Sequence, residues 1–259
     1  MSYPDRLILF DLVGHMAHFR RFYTNSSSLS YSFPPRTTIC GLVAGILGKQ
    51  RDSYYEEFST GKCRVGVAVR TPVRKIVQIV NYVRTKGLSE INASAGHTQV
   101  PLELVLPKAG YEKLKYRIYF WHKNITLMEE LWKRLRGGKF IYPPYLGITE
   151  CPAEIPWTTL VDGDNLSWLS NPNRLLQITT VIPVERLSSD SLELHRGLQL
   201  FKERQPLDFA SGRSLAAVAN MLYERNAKPV ELILNGDIFQ VFYKDLNGQQ
   251  EEYGIFMEV

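Results

Sequence analysis

Cysteine is scarce in this chain. Cys40, Cys63 and Cys151 are three residues in 259, too few and too scattered for a disulfide framework or a zinc site. Long hydrophobic runs are missing as well. No stretch approaches the roughly 18 uninterrupted apolar residues of a membrane span, so no membrane association is expected. The opening residues 1–14 lack a basic leader, and Asp11 interrupts their short apolar run, so they read as a strand and not as a signal peptide. Together these absences point to the reducing cytoplasm. The motifs of common enzymes are also absent. There is no Gly-x-x-x-x-Gly-Lys-Ser/Thr loop, no Gly-x-Ser-x-Gly elbow, no His-Glu-x-x-His and no pair of carboxylates at metal-site spacing, so neither a metal nor another cofactor is expected. No internal repeat and no low-complexity segment occurs.

Acid is missing from two long stretches. Between Leu12 and Arg51 there is none, while Arg20, Arg21, Arg36, Lys49 and Arg51 are basic. Between Phe58 and Ser89 there is again none, against Lys62, Arg64, Arg70, Arg74, Lys75, Arg84 and Lys86. Residues 1–149 carry 22 Lys/Arg against 10 Asp/Glu, a net +12, and residues 150–259 carry 9 against 16, a net −7. Such a split suggests that the first half meets a polyanion and the second half does not. A surface without acids repels no phosphate, and arginine holds phosphate oxygens bidentately. A basic face solvated without a partner is the bland alternative.

The hydrophobic pattern supplies the elements. Arg6–Leu12 reads as a central strand covered on both faces. A polar, aromatic and basic loop of residues 13–35 follows and ends in Pro34-Pro35. Ile39, Leu42, Val43, Ile46 and Leu47 form one stripe of a helix over Thr37–Gly48, with Thr37 or Thr38 as its cap. Cys63–Arg70 alternates like a half-buried strand. Lys75–Arg84 and Thr98–Leu106 alternate too and flank a polar tip, which predicts a β-hairpin arm at about residues 74–108, with Pro101 on an edge. Tyr116–Trp121 is a further strand. Thr126 and Glu129 suggest a capping box for a second helix that Gly137-Gly138 stops, and Phe140–Tyr142 a last strand. The predicted order is β, α, β, arm, β, α, β. The fold class is thus α+β, a ferredoxin-like, RRM-like domain over residues 1–154 with an inserted arm. Residues 155–259 read as a smaller β-rich domain. There, Leu175–Val184 is a strand, Asn235-Gly236 joins Val230–Leu234 to Asp237–Tyr243 as a hairpin, and Ser214–Arg225 has a helical pattern.

The sheet strands lack the aromatic signature of RNA-recognition motifs, so RNA contact would come from loops, helix ends and the arm. In the first loop, bases would stack on some of Phe19, Phe22, Tyr23, Tyr31 and Phe33 while Arg20 and Arg21 take phosphates, the remaining rings anchoring the loop. His15 and His18 lie beside these arginines. His18 with Tyr31 could serve as acid and base of a metal-free ribonuclease. The bland reading is that they touch RNA or pack, and we adopt it because catalysis demands a geometry that composition does not supply. The N-terminus of the first helix, with Arg36, Thr37 and Thr38, offers N–H groups to a phosphate or base edge. Arg74, Lys75, Arg84 and Lys86 place charge along the arm.

Two blocks resemble a known family. Residues 32–48, SFPPRTTICGLVAGILG, look like the first-helix motif of the Cas-five family of CRISPR-associated proteins. Residues 145–153, YLGITECPA, are similar to that family's Leu-Gly-x-x-Glu-Cys segment, with Ile148 and Thr149 where the family often has Arg and Ser. The arm between the blocks corresponds to the family's thumb. The resemblance implies a RAMP-type subunit of a type I effector (Cascade), subtype I-B-like, that caps the 5′ handle of crRNA in antiviral defence. It places Tyr145 and Gly147 among the RNA-contacting residues. It also implies contacts with the backbone subunit (Cas-seven) and the large subunit (Cas-eight), and with target DNA only within the complex. One branch of the family cleaves precursor RNA itself. Three readings therefore stand: a capping module, a metal-independent endoribonuclease for CRISPR repeats, and a structural protein–protein adaptor.

Overall fold

A strand with apolar residues on both faces needs a layer on each side, and the fold supplies both. In the computed structural model, residues 3–24, 28–85, 87–192, 197–245 and 247–258 are described. The first part of the chain runs β1 (Arg6–Gly14), β2 (Phe19–Arg20), β3 (Ser30–Tyr31), α1 (Arg36–Ile46), β4 (Cys63–Val69), β5 (Val73–Val83), β6 (His97–Pro107), β7 (Leu114–His122) and α2 (Ile125–Gly137). The rest is β8 (Thr158–Asp162), β9 (Leu166–Ser170), β10 (Leu176–Ile178), β11 (Ile182–Pro183), β12 (Leu187–Leu192), β13 (Leu200–Ala210), β14 (Ser214–Glu224), β15 (Val230–Leu234), β16 (Asp237–Asp245) and β17 (Gly248–Gly254).

The first sheet is antiparallel, in the order β4-β7-β1-β8. Ile8, Phe10 and Leu12 pack with Ile39, Val43 and Ile46 of α1 and Leu127 and Leu131 of α2. Leu7 and Leu9 face the other way, against Phe239, Val241, Tyr243 and Phe256. Asp11 shares that second face and is 1% exposed. Arg117 of β7 holds its carboxylate with two hydrogen bonds of 2.7 and 2.9 Å. The guanidinium lies 4.2 Å from the Trp157 ring centroid. A buried acid survives here because it is paired.

The predicted element order is observed, with one strand displaced. Phe140–Tyr142 is not a strand. The amides of Ile141 and Tyr142 donate to the carbonyls of Ile46 and Gly45, both at 3.2 Å. The first satisfies a carbonyl at the end of α1, and the second joins the Gly48 amide, 3.0 Å away, on the Gly45 carbonyl. The fourth strand is β8, which lies in the half assigned to the second unit and completes the first sheet. The caps differ from expectation too. Pro35 starts α1 with no side-chain cap, and Asn124 caps α2 by accepting from the Leu127 amide at 3.2 Å. Gly138 ends α2 at φ 60°.

The arm is β5–β6, in register from Val73↔Pro107 to Val83↔His97. Its base is stitched to the first loop by paired Ala17 and Val105 backbone hydrogen bonds, each 2.9 Å. Farther out it is exposed.

The second part holds a six-stranded sheet, β12-β15-β10-β17-β16-β9, and a three-stranded one, β11-β14-β13. Two expectations fail here. Ser214–Glu224 is strand β14, not a helix. Ala219, Met221 and Tyr223 are buried at period two while Leu215 is 41% exposed. Val230–Leu234 and Asp237–Asp245 are strands but not a hairpin. The first pairs with β10 and β12, the second with β17 and β9. Gly236 has φ 94° but Asn235 stays at negative φ, so no type I′ turn forms. Long-range strand pairs take the partners that the local turn would have joined. Leu175–Val184 is likewise broken into β10 and β11.

Arg36 ties the two parts together. It is 1% exposed. Its Nε forms an ion pair with Glu258, and its Nη atoms donate to the carbonyls of Leu207 at 2.9 Å, Phe58 at 2.8 Å and Cys63 at 3.0 Å. Glu258 also accepts the Val65 amide at 3.1 Å. The expectation that Arg36 faces a phosphate is thereby corrected: protein acceptors surround its guanidinium. Arg36→Ala should lower unfolding free energy by about 3–5 kcal/mol in urea titrations, because it leaves Glu258 charged, buried and unpaired. A loss under about 1 kcal/mol would contradict that role.

Candidate nucleic-acid interface

Single-stranded nucleic acid needs cations spaced along a groove and flat apolar faces between them. One groove of about 950 Å³ has this make-up. Among the described residues, Arg20, Arg21, Lys49, Arg51 and Arg213 line it and no acidic residue does, although Lys49 pairs with Glu57 at 2.8 Å and Arg51 with Asp52 at 3.4 Å beside it. Phe22, Tyr54, Tyr55, Tyr142, Tyr145 and Phe209 supply rings. The floor is the half-buried face of α1 with Thr37, Thr38, Gly41 and Gly45. A Cβ on Gly41 would stand 3.0 Å from the Tyr54 hydroxyl, so the missing side chain gives that ring its place.

The expected contacts divide. Arg20, Arg21, Thr37, Thr38, Tyr145 and Gly147 all line the groove. Arg20 is exposed and makes no ion pair or hydrogen bond among the described side chains. Arg21 is also structural. It pairs with Glu203 at 3.1 Å and lies 5.6 and 5.9 Å from the ring centroids of Tyr31 and Tyr23. Tyr23 is 47% exposed beside the groove, whereas Tyr31 is buried, as are Phe19 and Phe33. Burial raises the Tyr31 phenol pKa.

His18 is also buried. A carbonyl only accepts, so Nδ1 carries the proton it donates to the Glu103 oxygen at 2.8 Å. Nε2 then accepts from the Ser28 hydroxyl at 3.0 Å. Burial lowers the His18 pKa, and both ring nitrogens are engaged within the protein. On the arm, Lys75 turns inward, reaching the Ser30 carbonyl at 2.6 Å and Glu203 at 3.2 Å. Arg74 and Arg84 are exposed and lie outside the groove. Lys86 falls outside the described residues.

The family model described as CRISPR-associated protein (Cas_Cas5) matches residues 7–178. The chain belongs to this family. No curated protein matches its sequence. The fold of this Cas-five chain is similar to the crystal structure of a CRISPR protein from Archaeoglobus fulgidus, with a TM-score of 0.55 at 16% identity over 95% of this chain and 99% of that one. It resembles more loosely a chain of a CRISPR RNA-guided surveillance complex (TM-score 0.48, 14% identity, 87% and 91% covered) and a further Cas protein (0.44, 16%, 86% and 98%).

In this Cas-five chain the second block acts through Gly147. Its φ is 93°, and a Cβ there would fall 2.0 Å from the His18 carbonyl oxygen. The His18 amide donates to the Leu146 carbonyl at 3.0 Å, so the block and the first loop close on each other. Sequence reasoning missed Tyr54, Tyr55, Tyr142, Phe209 and Arg213. Lys49 and Arg51 stood in the acid-free stretch and could have been found there. Among the described residues no helix is long and apolar enough to cross a membrane, and no cluster of His, Cys, Asp or Glu is placed to hold a metal.

Gly147→Ala should destabilise the protein by more than about 1 kcal/mol and lower its melting temperature. The pH dependence follows from the lowered pKa of His18 and, again through burial, of His122. Below the ordinary value of 6.5 the unfolded chain takes up protons that the folded chain refuses. Stability is therefore full above that pH and declines as pH falls through it. Urea midpoints at several pH values should show the decline, and His18→Gln should flatten part of it.

Proposed function

We propose that this chain is the subunit of a type I CRISPR effector (Cascade) complex that binds and caps the 5′ handle of crRNA, without cutting it, in antiviral defence in the cytoplasm. The groove carries this reading: Arg20 and Arg213 stand without carboxylate partners among the described residues, Arg21, Lys49 and Arg51 are each paired with one acid, and rings lie between them over the first-helix motif, which suits a single strand whose phosphates and bases alternate. Family membership supports it. The sheet order β4-β7-β1-β8 with two helices on one face supports a ferredoxin-like first unit. The exposed β5–β6 hairpin suits a thumb laid over the guide, with Arg74 and Arg84 toward its phosphates. Neighbours of the Cas-seven and Cas-eight types would flank it, and target DNA would meet it only within the complex. The engaged ring nitrogens of His18 and the burial of Tyr31 favour binding over cleavage.

Labelled repeat RNA incubated with the protein in EDTA tests both points. Intact RNA should shift on a gel, less so as salt rises. Arg20→Glu should weaken binding about tenfold, with a smaller salt slope. A discrete cut that His18→Ala abolishes would overturn the non-catalytic reading. Binding indifferent to salt and to Arg20→Glu would favour the protein–protein adaptor.

A further inference from the structure

The charge split assigned polyanion contact to the first half of the chain, yet one wall of the groove comes from the second. The β13–β14 hairpin brings Pro206, Phe209 and Arg213 to it. Two register shifts, at Pro206/Asp208 and Asp208/Phe209, interrupt the ladder just before the tip. Bulges of this kind re-aim side chains. Beyond them Phe209 meets Tyr55 edge-on, with ring centroids 5.8 Å apart, and Tyr55 lies 4.9 Å from Tyr54. Tyr55 is buried, so it backs two half-buried rings that face the groove. Asp208 accepts the Thr60 amide at 3.0 Å, which fixes the hairpin to the segment bearing these tyrosines. Arg213 sits at the tip at φ 60°, exposed, and its side chain makes no ion pair or hydrogen bond among the described residues. The buried arginines Arg36 and Arg117, by contrast, have carboxylate partners.

We propose that this hairpin tip is part of the RNA site, with Phe209 and Tyr54 receiving the face of one unstacked base and Arg213 holding the phosphate beside it. The inference rests on the reading of the groove as a single-strand RNA site. It adds a contact from the acidic half of the chain and a pocket for one particular nucleotide. An exposed arginine without a partner among the described residues, beside two rings that line the same groove, matches how proteins hold a splayed nucleotide, phosphate on the cation and base on a ring.

Fluorescence anisotropy of the 259-residue chain with a labelled single-stranded repeat RNA provides the test. Arg213→Glu should weaken binding about tenfold and reduce the salt slope by about one, since it removes one phosphate contact. Phe209→Leu keeps an apolar side chain against Tyr55 but loses the ring, and should also weaken binding about tenfold. In a set of RNAs each with one abasic nucleotide, a single position should weaken wild-type binding by a similar factor. Phe209→Leu should no longer distinguish that RNA from the intact one. Wild-type binding that falls with Arg20→Glu but is unchanged by Arg213→Glu and Phe209→Leu overturns the role of the hairpin and leaves the groove reading standing. Absence of wild-type binding overturns both.

Discussion

The structure depends on one buried guanidinium. Arg36 begins α1, and its ion pair with Glu258 and its hydrogen bonds to Phe58, Cys63 and Leu207 join the first helix, β4, β13 and the C-terminal segment at a single point. Desolvating a charge this completely is tolerable only with every donor matched, so the four segments are held in one arrangement or not at all. The next two residues, Thr37 and Thr38, look into the groove. The position of the groove floor is thus set by a contact that ends at the far terminus of the chain.

The groove is assembled from pieces distant in sequence. The first loop contributes Arg20 and Arg21, α1 its polar face, the following loop Tyr54 and Tyr55, the turn before β8 Tyr142 and Tyr145, and the β13–β14 hairpin Phe209 and Arg213. Two devices keep these pieces close. Gly147 lets the turn touch the His18 backbone, where no side chain would fit. Glu203, 6% exposed and contributed by the acidic half, accepts from Arg21, Lys75 and the Ser32 amide, and so anchors both the loop and the arm. Several cations that a charge count marks for RNA therefore balance buried acids. The cations left for a ligand are fewer and are drawn from both halves.

The regular elements were legible where periodicity was strong. The two-faced apolar run of β1, the stripe of α1 and the alternation of the arm all appear in the structure. Legibility failed where local and long-range preferences compete. Ser214–Glu224 carries a helical spacing of Leu215, Val218, Ala219 and Leu222, but pairing with β13 buries Ala219, Met221 and Tyr223 instead. Asn235-Gly236 has good turn chemistry, yet neighbouring strands claim both flanking segments. For the groove, Arg20, Thr37, Thr38, Tyr145 and Gly147 had been singled out by composition, motif and resemblance, and all five line it. Phe209 and Arg213 carry no such signal, because they lie in the net-acidic half of the chain and outside every element read from the sequence.

The sequence by itself determined the family, through the 32–48 and 145–153 blocks, and the main elements of the first sheet, through hydrophobic period, while its two stretches empty of acid raised the expectation of a polyanionic partner. Those are local or additive properties, and a chain displays them without folding. Tertiary structure alone decided which cations are free and which are buried, that Arg36 and Lys75 serve the protein, that β8 and not Phe140–Tyr142 completes the sheet, and that a hairpin from the acidic half walls the groove. Those outcomes depend on which distant groups meet, and a charge or a ring takes its role from the neighbour it finds.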